Sequence, residues 1–138
     1  MVDELRAYID GICKVLDIHM PTIVFASNHF QSASQKAAYD TATDTLTVDI
    51  SGGDLRDLVF FTAHELRHKW QWEYKRELFS GYKERKDCSL EEYNLQPAEL
   101  DAHAFATVAI GHYFGNLPAF NGLPKAARDE IYQAAREL

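Results

Sequence analysis

Apolar residues recur along this chain in two periods. Leu5, Tyr8, Ile9, Ile12, Val15 and Leu16 form one stripe at helical spacing. They predict an amphipathic first helix, capped by Asp3 and ending near Asp17, ahead of Pro21. Thr22-Ile23-Val24-Phe25-Ala26 is short, β-branched and apolar, which predicts a buried strand. Residues 27–36 are polar and carry no clear period, and residues 37–40 are compatible with a short strand. Residues 45–50 alternate, with Leu46, Val48 and Ile50 on one side and Thr45, Thr47 and Asp49 on the other. A hairpin around Thr43-Asp44 follows. Ser51-Gly52-Gly53-Asp54 interrupts the strand and offers Asp54 as a helix cap. Helical spacing then returns in Leu55, Leu58, Val59, Thr62, Leu66 and Trp70. The pattern predicts a central helix over about 55–78, roughly 36 Å long. A charged loop, 82–87, comes next. Ser89-Leu90-Glu91-Glu92 matches a capping box, and Pro97 suits the first position of a helix running through Phe105, Val108, Ile110 and Tyr113 to Gly115. Pro124 opens a last helix reaching about Glu137. The sum is an α+β fold: an N-terminal helix, a small antiparallel or mixed sheet of about three strands, the long central helix and two further helices.

At 138 residues the chain is expected to form one domain, 1–138, with a core of its own. A 46% apolar fraction with 25% charged residues is that of an ordinary globular protein. The net charge of −7 argues against a general nucleic-acid surface, which needs a basic patch. No apolar run approaches the roughly 20 residues of a membrane span. The start, Met1-Val2-Asp3-Glu4-Leu5, is acidic and amphipathic, unlike a secretory signal. Cys13 and Cys88 make no C-x-x-C pair, so reduced thiols and a cytoplasmic location are the expectation, with one disulfide left open.

The central helix carries His64-Glu65-Leu66-Arg67-His68. Residues i and i+4 lie one above the other on one helix face, so His64 and His68 can hold one metal ion. Glu65 then reaches a metal-activated water as its general base. This is the zincin signature. A catalytic zinc needs one more protein ligand and keeps a position for water. Acidic candidates cluster in Pro97-Ala98-Glu99-Leu100-Asp101-Ala102-His103-Ala104-Phe105-Ala106.

Here the chain resembles gluzincin-type zinc metallopeptidases, in which a second helix supplies the third ligand. Residues 99–106 are similar to the E-x-(E/D)-A-(D/N)-x-F-A helix of ImmA/IrrE-type and Ste24-type peptidases. The resemblance implies a zincin-like fold and zinc held by His64, His68 and Glu99. His103 departs from the pattern, standing where those peptidases have Asp or Asn. Asp101 remains open as a support for a zinc-bound His or as a competing ligand, and His103 as a third ligand. On a helix, 99 and 103 share a face while 101 points roughly the other way, which favours Glu99. The metzincin extension is absent after His68.

The activity implied is peptide-bond hydrolysis, with Glu65 taking a proton from water and delivering it to the leaving amine. The substrate would be a peptide or protein laid along residues 45–50, Thr45 to Ile50, as an added strand on an open edge. The alternative is an inactive zincin-fold module that binds a protein or peptide partner. Tyr82, Tyr93, His112 and Tyr113 are the candidates for a group that stabilises an oxyanion. Trp70, Trp72 and Phe79 read as packing aromatics.

Overall fold

A computed structural model describes residues 1–31 and 35–138; three positions of the ambiguous 27–36 segment thus lie outside the described residues. The elements run α1 (Val2–Leu16), β1 (Thr22–Ala26), β2 (Ala37–Asp40), β3 (Thr45–Asp49), α2 (Leu55–Tyr74), α3 (Leu90–Leu95), α4 (Pro97–Phe114) and α5 (Lys125–Arg136). Single 3-10 turns at Arg76–Phe79 and Arg85–Asp87 connect α2 to α3. The protein is α+β, with five helices and one small mixed sheet among the described residues.

Local chemistry explains most of these boundaries. The Asp54 carboxylate accepts the Asp57 N–H at 2.8 Å and caps α2. Ser89 caps α3, its Oγ accepting the Glu92 N–H at 3.1 Å and donating to Glu92 Oε1 at 3.0 Å, a side-chain variant of the capping box. Pro97 is the first residue of α4, and Gly115, at φ 77°, ends it in the left-handed conformation that glycine adopts without steric cost.

In α1 the buried stripe is Leu5, Ile9, Ile12, Cys13 and Leu16. Val15, expected in that stripe, is 73% exposed. At 100° per residue it sits roughly 100° from the centre of the face that Cys13 completes. The helix starts at Val2 without a side-chain cap, so Asp3 lies in its first turn instead of capping it. Both cysteines are free, and Cys13 is buried. Burial, with only partial relief from nearby Lys69, pushes the Cys13 thiol up to about 11.

The strand order is β1-β3-β2. Strand β3 pairs parallel with β1 and antiparallel with β2. It is therefore the middle strand, and the expectation that residues 45–50 form the open edge is corrected. Two neighbours already take its backbone groups on both sides. The β1 segment, expected to be buried, is an outer strand with Val24 43% exposed. The hairpin at 41–44 forms as expected, with Asp44 at φ 49°. No helix of the described residues is long and apolar enough to cross a membrane.

The core lies between α1, α2, α4 and one face of the sheet. Leu5, Ile9, Leu46, Val48, Leu58, Val59, Leu66 and Ile110 are all buried in it. Helix α4 presents Ala98, Ala102 and Ala106 as buried small residues, which allow close approach of another helix. Polar contacts also join α4 to α2. Arg67 forks onto Asp101 at 2.8 and 3.1 Å, and Gln71 Nε2 donates to Ala98 O at 2.8 Å. The Arg67 guanidinium also lies over Trp70, 3.7 Å from the ring centroid, and 5.0 Å from that of Phe105.

Candidate metal centre

Helix α2 places Glu65, Lys69 and Glu73 at i, i+4, i+8 along one row, and the first two hold the hairpin. Lys69, 3% exposed, meets Asp44 at 2.6 Å and Glu73 at 3.2 Å. Glu65 Oε1 accepts the backbone N–H of Tyr39 at 3.0 Å. Asp49 N–H bonds Lys36 O at 2.8 Å, so the backbone groups of 36, 38 and 40 face β3. Those of Ala37 and Tyr39 turn the other way, toward α2 and the cleft. The cleft has a volume of about 850 Å³ and is open to solvent. Ala37, Tyr39, His64, Glu65, Tyr82 and Glu99 are among its walls.

One turn of α2 and the start of α4 converge at the cleft floor. His64 Nε2 lies 3.1 Å from His68 Nε2 and 3.2 Å from Glu99 Oε1. His68 Nε2 lies 2.9 Å from Glu99 Oε2. Glu65 Oε2 stands slightly back, 3.7 and 3.9 Å from the two Nε2 atoms. Its other oxygen is tied to Tyr39, so the edge-strand amide fixes which oxygen faces the imidazoles.

The protons in this cluster can be assigned by elimination. Gln71 Nε2 donates to Ala98 O and to Asp101 Oδ2, both at 2.8 Å. Its Oε1 is therefore the acceptor that faces His68 Nδ1 at 2.8 Å. His68 Nδ1 carries a proton. In the neutral ring, Nε2 then points a lone pair at a carboxylate oxygen and at a second imidazole nitrogen. Such an arrangement requires a cation at its centre, either a proton or a metal ion. The residues fit the metal: a tetrahedral zinc with bonds of about 2.0–2.1 Å separates its donors by about 3.3–3.4 Å, close to the three distances above. His64, Glu65 and His68 group as possible ligands, as do His64, Glu99 and His103. The short contacts among His64, His68 and Glu99 make those three the tightest set.

Without a metal the cluster is strongly coupled. Burial opposes charge on His68, but the hydrogen bond and charge of Glu99, with Glu65 and Gln71, outweigh it and push its pKa up to about 9. Burial also disfavours the Glu99 carboxylate, only 2% exposed, yet the two imidazoles hold it well below the usual carboxylate range. A raised histidine pKa contributes stability fully present below the ordinary 6.5 and lost as pH rises through about 9. The thermal midpoint of chelator-treated protein should accordingly fall across that window. Metal uptake must displace the His68 proton, so zinc affinity should rise about tenfold per pH unit between pH 6.5 and 8. A flat affinity in competition titrations over that range would contradict this assignment.

Asp101, open from sequence as a ligand or a direct support, does neither. It holds Arg67 and reaches His68 only through Gln71. His103 lies beside His64, ring centroids 4.5 Å apart, and its Nε2 bonds Asn94 Oδ1 at 2.6 Å. Tyr82 donates to Glu99 Oε2 at 2.8 Å and stands 2.9 Å from the Tyr93 hydroxyl. Each hydroxyl has one proton, so Tyr93 donates to Tyr82. Burial, then the Glu99 charge, drives the Tyr82 pKa far up. Of the other oxyanion candidates, His112 is exposed and Tyr113 packs on Tyr8 at 4.9 Å; neither lines the cleft. Sequence reasoning missed Gln71, Asn94 and the Tyr39 amide. The first had a signal, since position 71 is one turn beyond His68 on the same face.

No protein-family model matches the chain, and comparison with curated proteins and with solved structures gives no significant match. The functional reading rests on the residues themselves.

Proposed function

We propose that this chain is a zinc metallopeptidase of the gluzincin type, in which His64, His68 and Glu99 would hold the metal and Glu65 is the general base. The observation that carries the proposal is the convergence of His64 Nε2, His68 Nε2 and the Glu99 carboxylate at 2.9–3.2 Å, with His68 Nδ1–H committed to Gln71 so that Nε2 is the nitrogen left for a metal. A zinc ion bound there would supply Lewis acidity, lowering the pKa of a water and polarising a scissile carbonyl. The chain's own groups do the rest. Glu65 Oε2 takes the proton of the attacking water and returns it to the leaving amine. The Tyr39 amide holds Glu65 Oε1, and Tyr82 holds Glu99. The sequence resemblance noted above supports the same assignment.

An extended peptide would lie against β2, the outer strand on the α2 side, not against β3. The outward backbone groups of Ala37 and the carbonyl of Tyr39, whose N–H is taken by Glu65, offer the ladder positions for strand addition, within the cleft wall that Glu65 shares.

Protein purified with supplemental zinc and freed of excess should retain about one equivalent per chain by elemental analysis. It should also hydrolyse an unstructured protein such as casein. A retained metal content below a tenth of an equivalent would remove the basis of the proposal. Zinc without hydrolysis across varied unstructured substrates would favour an inactive module that binds a peptide or protein partner.

A further inference from the structure

Two buried imidazole nitrogens at the site have no hydrogen-bond partner among the described residues: His64 Nδ1 and His103 Nδ1. They belong to rings whose centroids lie 4.5 Å apart at an inclination of 51°. Buried polar nitrogens without partners are costly, and two on adjacent rings point to a joint solution.

The protonation of His103 follows from its far side. Asn94 Nδ2 donates to Leu90 O at 2.8 Å, which turns Asn94 Oδ1 toward His103 as an acceptor. His103 Nε2, 2.6 Å from that oxygen, must therefore carry the proton. Neutral His103 then has its lone pair on Nδ1, on the side of the ring that lacks a partner. His64, if it binds a metal through Nε2, must carry its own proton on Nδ1. One nitrogen is a donor without an acceptor, and the other an acceptor without a donor.

We propose that His103 is the positioning residue for His64, its ring turning so that Nδ1 accepts the His64 Nδ1–H, with Asn94 fixing its tautomer from behind. The inference rests on the metal-site reading above. A metal-bound histidine nearly always donates its other ring N–H to an oriented acceptor. His68 has Gln71 for that purpose, and His64 has no equivalent unless His103 serves. The neutral ring suits the role. With Nε2–H given to Asn94, its Nδ1 is the nitrogen that carries the lone pair. The surroundings confine the ring as well: Phe60 stacks on it at 6.5 Å and Phe120 meets it at 5.9 Å.

The experiment measures zinc affinity by competition with a chromophoric chelator at pH 7 for the parent, His103→Leu and His103→Asp. Leucine fits among Phe60 and Phe120 but accepts no hydrogen bond; aspartate restores an acceptor. The expected result is a 10–100-fold loss for His103→Leu and recovery to within a few-fold of the parent for His103→Asp. Nitrogen-15 shifts of the imidazoles in the zinc-loaded parent should report protonated Nδ1 on His64 and protonated Nε2 on His103. Should His103→Leu fail to fold, the aspartate variant and these shifts still decide. Equal affinity in parent and leucine variant would overturn the inference alone. Equal losses in both variants would do the same, because packing and not the acceptor would then matter. A metal-coordinated shift on His103 would make it a ligand and overturn the positioning role. A parent that holds no zinc would instead overturn the site reading, and this inference with it.

Discussion

A Glu65→Gln protein is expected to fold, to bind zinc as the parent does, and to lose about 10²–10⁴-fold in hydrolytic rate, the range attributable to a general base. The structure says why the change is so local. Glu65 Oε1 accepts the Tyr39 N–H, and a glutamine can keep that bond with its amide oxygen. Its NH₂ group then falls where Oε2 stands, 3.7 and 3.9 Å from the two imidazole nitrogens. The one atom required to accept a proton from water becomes a donor, while the side chain stays anchored. If Glu65 serves only to tie α2 to the edge strand, glutamine preserves that tie and nothing changes. Casein hydrolysis and zinc content measured on the same preparations separate the two cases. Equal rates in parent and variant, with zinc present in both, would defeat the proposed mechanism. Self-cleavage at high protein concentration provides a second readout that requires no choice of substrate.

The elements of this fold were legible where local chemistry decides them. Asp54, the Ser89–Glu92 box, Pro97 and Gly115 each mark a boundary through a bond or a backbone preference contained within a few residues. The misreadings have tertiary causes. Helix α2 was expected to continue to about residue 78 but ends at Tyr74, with the chain turned into a 3-10 segment. No glycine or proline marks that break. The turn carries Phe79 against His68, Trp72 and Tyr82, with ring centroids 5.9, 5.8 and 5.5 Å away. Strand order escaped for the same reason. Residues 45–50 alternate cleanly, and alternation says which face is buried but not how many neighbours a strand has. A parallel partner, β1, came from 23 residues upstream, Thr22 pairing with Thr45.

At the candidate site, helical spacing sufficed to bring His64, Glu65 and His68 to one face and to put Glu99 and Asp101 on different ones. It could not say which helix would face which, and so could not show that Glu99 lands within 3.2 Å of both imidazoles. The groups behind the ligands were harder still. Asn94 comes from a separate six-residue helix, and the Tyr39 amide is a backbone atom with no sequence signature at all.

The second large effect separates the two acidic residues of α4. Glu99→Ala should abolish most of the zinc affinity at modest cost in stability, and Asp101→Ala should do the reverse. Glu99 has its two oxygens on His64, His68 and Tyr82. Removing it takes away the carboxylate that stands closest to both imidazoles. Stranding a buried charge usually costs about 3–5 kcal/mol, but here the imidazoles can shed their protons once the carboxylate is gone, so the metal-free fold should escape much of that cost. Asp101 has both oxygens on Arg67, a cation that cannot neutralise, and one on Gln71. Its loss strands the buried Arg67 charge, at a cost of about 3–5 kcal/mol in stability. The metal is affected only through the freedom Gln71 gains to release His68, at most about 10–100-fold. Thermal melts of the metal-free proteins and chelator competition on the loaded ones place each variant on both axes. Zinc retained by Glu99→Ala but lost by Asp101→Ala would reverse the assignment of the two carboxylates and require a different rotation of α4 against α2.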